Sequence, residues 1–106
     1  MCKLDIQPQH LEIVKQILRT YLPDYEVRAF GSRVKQTATT FSDLDLAVMS
    51  EKPLSLRQLC QVEQAFSDSD LPWKVDVVDW AATTPAFQAI IMQKSIVIQQ
   101  QKNSVI

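Results

Sequence analysis

Glycine is nearly absent from this chain: Gly31 is the only one in 106 residues. Turns elsewhere fall to Pro, Asp, Asn and Ser, and the single glycine marks a place with a particular backbone need. Cysteine is scarce too. Cys2 and Cys60 have no CxxC neighbour and no adjacent histidine, which argues against a zinc site. Two thiols so far apart read as free and reduced, with Cys60 in the core of a helical pattern. His10 is the one histidine and reads as a surface residue at the start of the first helix. No apolar run approaches the roughly 20 residues that span a bilayer. Met1-Cys2-Lys3-Leu4-Asp5 lacks the apolar stretch of a signal peptide, so a cytoplasmic location is expected. Excess charge is also missing. Eleven basic and 12 acidic residues leave a net charge of −1, without the basic excess that direct nucleic-acid binding usually displays.

The composition that remains, 46% hydrophobic and 22% charged, is that of a globular protein. The length suits a single domain with a thin core. That domain is expected over residues 1–98, followed by a polar, frayed tail over 99–106. Apolar residues at Leu11, Val14, Ile17, Leu18 and Tyr21 predict a helix from Pro8 to Leu22, ended by Pro23. Val27 to Phe30 reads as a strand entering Gly31-Ser32. Asp43 to Met49 reads as a second strand, with Leu44, Leu46 and Val48 on one face and Asp43, Asp45 and Ala47 on the other. Ser55-Leu56-Arg57-Gln58 has the form of a capping box and opens a helix to about residue 67, with Leu56, Leu59, Cys60, Glu63 and Phe66 at helical spacing. Lys74 to Val78 reads as a third strand flanked by Trp73 and Trp80. Thr84 and Pro85 start a last helix, and Ser95 to Ile98 a short final strand. The order is that of a small α/β (α+β) fold, a mixed sheet with helices mainly on one face.

The chemistry centres on Asp43-Leu44-Asp45. A period of two places both carboxylates on one face of one strand, where unpaired anions repel and raise one another's pKa. A divalent metal relieves that repulsion, since Mg²⁺ takes carboxylate oxygens together with substrate phosphates. Asp76, mid-strand in Lys74-Val75-Asp76-Val77-Val78, is the third candidate ligand, because a charge buried there needs a partner or a metal. Asp79 is the alternative, but it stands at the strand's end on the opposite face, where solvation is expected. Gly31 lets the backbone approach a ligand closely, and a helix starting there aims free N–H groups at an anion. The Ser32 hydroxyl adds a phosphate contact. Arg33 reads either as a phosphate contact or as a salt-bridge partner, and Lys35 as a further cation or a solvated surface residue. Alone, Gly-Ser is more often a turn and Asp-x-Asp a solvated strand edge. Gly-Ser after a strand, Asp-x-Asp in the next and a mid-strand Asp in a third make a stronger pattern.

That pattern resembles the polymerase-β-like nucleotidyltransferase superfamily, and within it the minimal nucleotidyltransferases. Their signature is Gly-Ser, ten residues, then Asp-x-Asp. Here Gly31-Ser32 is followed by the ten residues Arg33 to Ser42 and then by Asp43-Leu44-Asp45. GSRVKQTATTFSDLDLAV is similar to the family's GSRARG…SDLDL text, and KVDVVD to its third-carboxylate strand; Gln36 stands where the family often has a second glycine. The resemblance implies a catalytic and metal-binding set of Asp43, Asp45 and Asp76 holding two Mg²⁺ ions. It also implies ATP as substrate, gripped through Gly31, Ser32 and Arg33, and transfer of AMP to a hydroxyl. A chain this short lacks room for an acceptor-binding domain. The acceptor that the resemblance implies is a tyrosine of a small helical ribonuclease of the HEPN type, a toxin for which this chain is the antitoxin. The near-zero charge fits a protein acceptor better than an RNA one. Two alternatives stand beside it: a catalytically degenerate module that neutralises its partner by contact, and a structural domain with a chance motif.

Overall fold

The computed structural model describes residues 4–35 and 42–101. Cys2, Gln36 and the tail beyond residue 101 lie outside them, as does the side chain of Lys35. Pro8 fixes the φ of the first helical position and opens α1, Pro8–Tyr21, whose Val14 and Leu18 are fully buried. The chain turns through Pro23 into β1, Val27–Phe30, then through Gly31 into a single helical turn, α2, Ser32–Lys35. After the intervening segment come β2, Leu44–Val48, and α3, Leu56–Ser67. The third strand is β3, Val75–Asp79; a 3₁₀ turn, Trp80–Ala82, leads to α4, Pro85–Gln93, and β4, Ile96–Gln99.

The serine half of the capping box forms, with the Gln58 N–H donating to Ser55 Oγ at 3.1 Å. Thr84 caps α4 in the same way, accepting from the Phe87 N–H at 3.3 Å. Each bond satisfies one of the N–H groups that a helix start leaves unpaired.

The strands form one sheet in the order β3-β2-β1-β4. β1 is antiparallel to β2 and β4, whereas β2 and β3 run parallel, joined by the α3 crossover. Alternation sends Val27, Ala29, Leu44, Leu46, Val48 and Val75 to one face. There they pack with Val14 and Leu18 of α1 and Val62 and Phe66 of α3. The other face carries a smaller cluster, Phe30, Ala47 and Ile91, with Phe87 of α4 edge-on to Phe30. α1 and α3 thus cover one face, and α4 covers only part of the other. The rest of that second face is left for the carboxylates. Among the described residues no helix is long and apolar enough to cross a membrane.

Three expectations change. Cys60 is exposed rather than core, because the inward stripe of α3 runs through Leu59, Val62 and Phe66 and a residue one step on from Leu59 is rotated about 100° away. The boundary drawn at residue 98 falls inside β4. Gln99 belongs to that strand, and its amide donates to the carbonyls of Leu22 at 2.7 Å and Tyr25 at 2.8 Å, tying β4 to the end of α1.

Asp79 is the third change. It is buried, not solvated. One of its carboxylate oxygens accepts from the Ser50 hydroxyl and the other from the Leu54 N–H at 2.8 Å, while Ser50 Oγ accepts from the Ala81 N–H at 3.2 Å. This network closes the ends of β2 and β3 against the start of α3. Asp79→Ala leaves a buried N–H and hydroxyl without their acceptor, at a cost of about 1–3 kcal/mol. Urea unfolding should register a midpoint lowered accordingly; an unchanged midpoint would show that the network is replaced by water.

Candidate active site

Parallel pairing sets Asp45 of β2 beside Asp76 of β3, and antiparallel pairing sets it beside Phe30 of β1. Asp45 therefore has a carboxylate on one flank and a phenyl ring on the other. Asp43 lies two residues before it, exposed, at the entrance to β2. Asp45 and Asp76 are in register on neighbouring strands, while Asp43, which the period of two set on the face of Asp45, stands just ahead of the first residue of β2. Burial, then the charge of Asp76, then that of Asp43 push the Asp45 carboxyl above the usual carboxylate range. Asp45 is where the site's electrostatic cost is concentrated.

Asp76 departs from expectation. Its side chain is 43% exposed and lies 3.5 Å from Lys74 Nζ. β3 is an edge strand, so the face around Asp76 is open to solvent. Lys74, two residues back and so on the same face, went unremarked in the sequence, although the period of two pointed to it. The pair is exposed and adds little to stability. It does supply an exposed cation at the open edge of an anionic cluster.

Gly31 adopts φ +83°, the left-handed region that side chains disfavour. A Cβ there would collide with Asp45 Oδ2 and stand 3.2 Å from its Cγ. The lone glycine has two causes: the turn out of β1 and the close approach of backbone to the central carboxylate. α2 is one turn long, with the Val34 N–H donating to the Gly31 carbonyl at 3.1 Å. A helix this short has little macrodipole, and the backbone's approach to Asp45 matters more. Ser32 follows at once, half-buried, at the lip of the site.

Arg33 was expected to face a phosphate or an acid. Its side chain instead turns inward, 5% exposed, and donates to the main-chain carbonyls of Asp5 and Ser42. It also lies over the ring of Trp73, which forms a T-shaped pair with His10. Trp73 is core and His10 is half-buried rather than a free surface residue.

The donors at the site are all carboxylate oxygens, the chemistry that a hard divalent cation requires. The raised Asp45 carboxyl, with the Gly31 backbone close against it, fits such a cation. Among the described residues no three ligating side chains close into a ready-made cage. The arrangement is an open one that a substrate would complete.

A family profile described as polymerase beta, nucleotidyltransferase, matches residues 12–104. A protein of Haemophilus influenzae named probable protein adenylyltransferase MntA is 50% identical over 97% of this chain and 90% of its own length. The fold is shared with a crystal structure of a toxin-antitoxin with AMP-PNP. The TM-score there is 0.72 at 22% identity, covering 88% of this chain and 76% of that one. It is shared too with a structure of a tri-AMPylated Shewanella oneidensis HEPN toxin in complex with an MNT antitoxin, with a TM-score of 0.66 at 20% identity over 92% and 76% of the two chains.

A carboxyl whose pKa is raised by folding stabilises the native state below the ordinary carboxylate range, and that contribution is lost as pH rises through the raised value. At neutral pH without metal, Asp45 is therefore a cost, and Asp45→Asn should raise Tm. The gain should shrink as pH falls through the Asp45 pKa. Thermal melts of both proteins from neutral to acid pH check this; a variant less stable at neutral pH contradicts it. Gly31→Ala should cost about 1–2 kcal/mol from the left-handed backbone alone and displace the Asp45 carboxylate, so nucleotide binding should fall together with Tm.

Proposed function

The chain belongs to the polymerase β nucleotidyltransferase family, and from that premise we propose that it moves AMP from ATP to a tyrosine hydroxyl of a HEPN-type toxin, acting as its antitoxin. The observation that carries the proposal is Asp45 held in register beside Asp76 with Gly31 pressed against it. The relative named protein adenylyltransferase MntA supports the same reaction. So does the shared fold of a complex in which the HEPN toxin is tri-AMPylated.

Asp43, Asp45 and Asp76 would hold Mg²⁺, which when bound lowers the pKa of the attacking hydroxyl and offsets charge on the triphosphate. The chain's own groups do the rest. Gly31 lets the backbone lie against the triphosphate, and the Ser32 hydroxyl donates to a phosphate oxygen. The acceptor oxygen attacks the α-phosphorus; the bond from that phosphorus to the bridging oxygen breaks and pyrophosphate leaves. An Asp76 carboxylate oxygen, at the open edge of the sheet, takes the proton of the acceptor hydroxyl. Lys74, beside Asp76, offsets charge there before substrate arrives. The open rim of the site suits an acceptor delivered on another chain, and we place the reaction in the cytoplasm, where ATP is abundant.

Incubation with the cognate HEPN protein, α-labelled ATP and Mg²⁺ should label that protein. Asp43→Asn combined with Asp45→Asn should reduce labelling to background. A double variant that still protects cells from the toxin would favour neutralisation by contact, and absence of labelling by the wild type would refute the proposal.

A further inference from the structure

Arg33 joins parts of the site that are separate in sequence. Its Nε and Nη2 donate to the Ser42 carbonyl at 3.0 and 2.8 Å, and its Nη1 to the Asp5 carbonyl at 2.9 Å. The Asp5 N–H returns a bond to the Arg33 carbonyl at 2.7 Å. The guanidinium carbon lies over the Trp73 ring, 4.6 Å from its centroid, and His10 forms a T-shaped pair with the same ring at 5.8 Å. Ser42 directly precedes Asp43, and Arg33 directly follows Ser32. One planar group thus fastens together the two sides of the segment that joins the Gly-Ser turn to the Asp-x-Asp strand.

We propose that Arg33 is a positioning residue for Asp43. Asp43 is exposed and stands outside the strand, which begins at Leu44, so the ladder does not by itself fix its carboxylate. Two hydrogen bonds to the carbonyl one residue earlier hold that backbone and keep Asp43 beside Asp45. Arg33 then sets how readily the site takes its divalent cation, not how tightly it grips the triphosphate. A lysine cannot replace it, because an ammonium offers no planar fork to serve two carbonyls while lying on an indole.

This inference rests on the reading of Asp43 as a metal ligand, and the test separates the two. The readout is the Tm of the chain with ATP, without acceptor, titrated with Mg²⁺, so that no turnover is involved. Arg33→Gln should raise the half-saturating Mg²⁺ concentration about ten- to a hundredfold, while the ATP requirement at saturating Mg²⁺ stays unchanged. In an Asp43→Asn background the same substitution should change the Mg²⁺ requirement by no more than about twofold, since the two residues act as one unit. Arg33→Lys, which keeps the charge and most of the packing, should move the Mg²⁺ requirement in the same direction and decides the matter if Arg33→Gln does not fold. A Lys variant indistinguishable from wild type overturns the proposal. So does a raised ATP requirement with unaltered Mg²⁺ dependence, which marks a phosphate contact. An equal effect with and without Asp43 overturns it as well. A wild type that shows no Mg²⁺-dependent stabilisation by ATP overturns the metal-ligand reading itself.

Discussion

The Asp45 carboxyl, partly buried by the sheet and set beside a second carboxylate, is the constraint on which this molecule turns. Parallel pairing of β2 with β3 puts Asp45 next to Asp76, and Asp43, just ahead of the strand, adds its charge to theirs. Phe30 is its partner on the other flank, so Asp45 stands half-buried between a ring and a carboxylate. The native state carries this cost because hydrophobic packing on the opposite face fixes the register. Leu44, Leu46 and Val48 are fully buried against α1 and α3, and slipping β2 by one residue would exchange them for the acids. The apolar face thus sets the geometry of the polar one.

Other features serve the same constraint. The Asp79 network holds the far ends of β2 and β3 together three residues beyond Asp76. Gly31 permits a backbone approach that no side chain would allow. α4 covers Ala47 and Phe30 but stops short of the acids. In the function proposed above, this core brings the anionic half of the site, and the cation, the triphosphate and the acceptor would arrive from solution and from another chain.

The parts of this arrangement that depend on local spacing were legible in the sequence. The strands, the placing of Asp45 on the face opposite Leu44 and Leu46, and the Ser55 and Thr84 caps all follow from periods and short motifs. What was not legible depends on contacts between distant segments. Asp79 looked solvated because nothing in Val77-Val78-Asp79 announces Ser50 and the Leu54 N–H as its partners. Arg33 read as a phosphate contact or a salt-bridge partner because its carbonyl acceptors and the Trp73 ring come from elsewhere in the chain. Asp76 looked buried because its neighbours are apolar, yet edge position, a property of the sheet order, leaves it open. Cys60 erred by one helical step, which in an amphipathic helix is enough to exchange core for surface.

The most direct test is the titration of Asp45 itself, followed by carboxyl ¹³C NMR with and without Mg²⁺ and ATP. In the free protein its pKa should lie above that of an ordinary aspartate. It should fall well below that value when cation and nucleotide bind, because a nearby positive charge favours the ionised form. An Asp45 that titrates in the ordinary range, and does so equally with and without Mg²⁺ and ATP, would contradict the account.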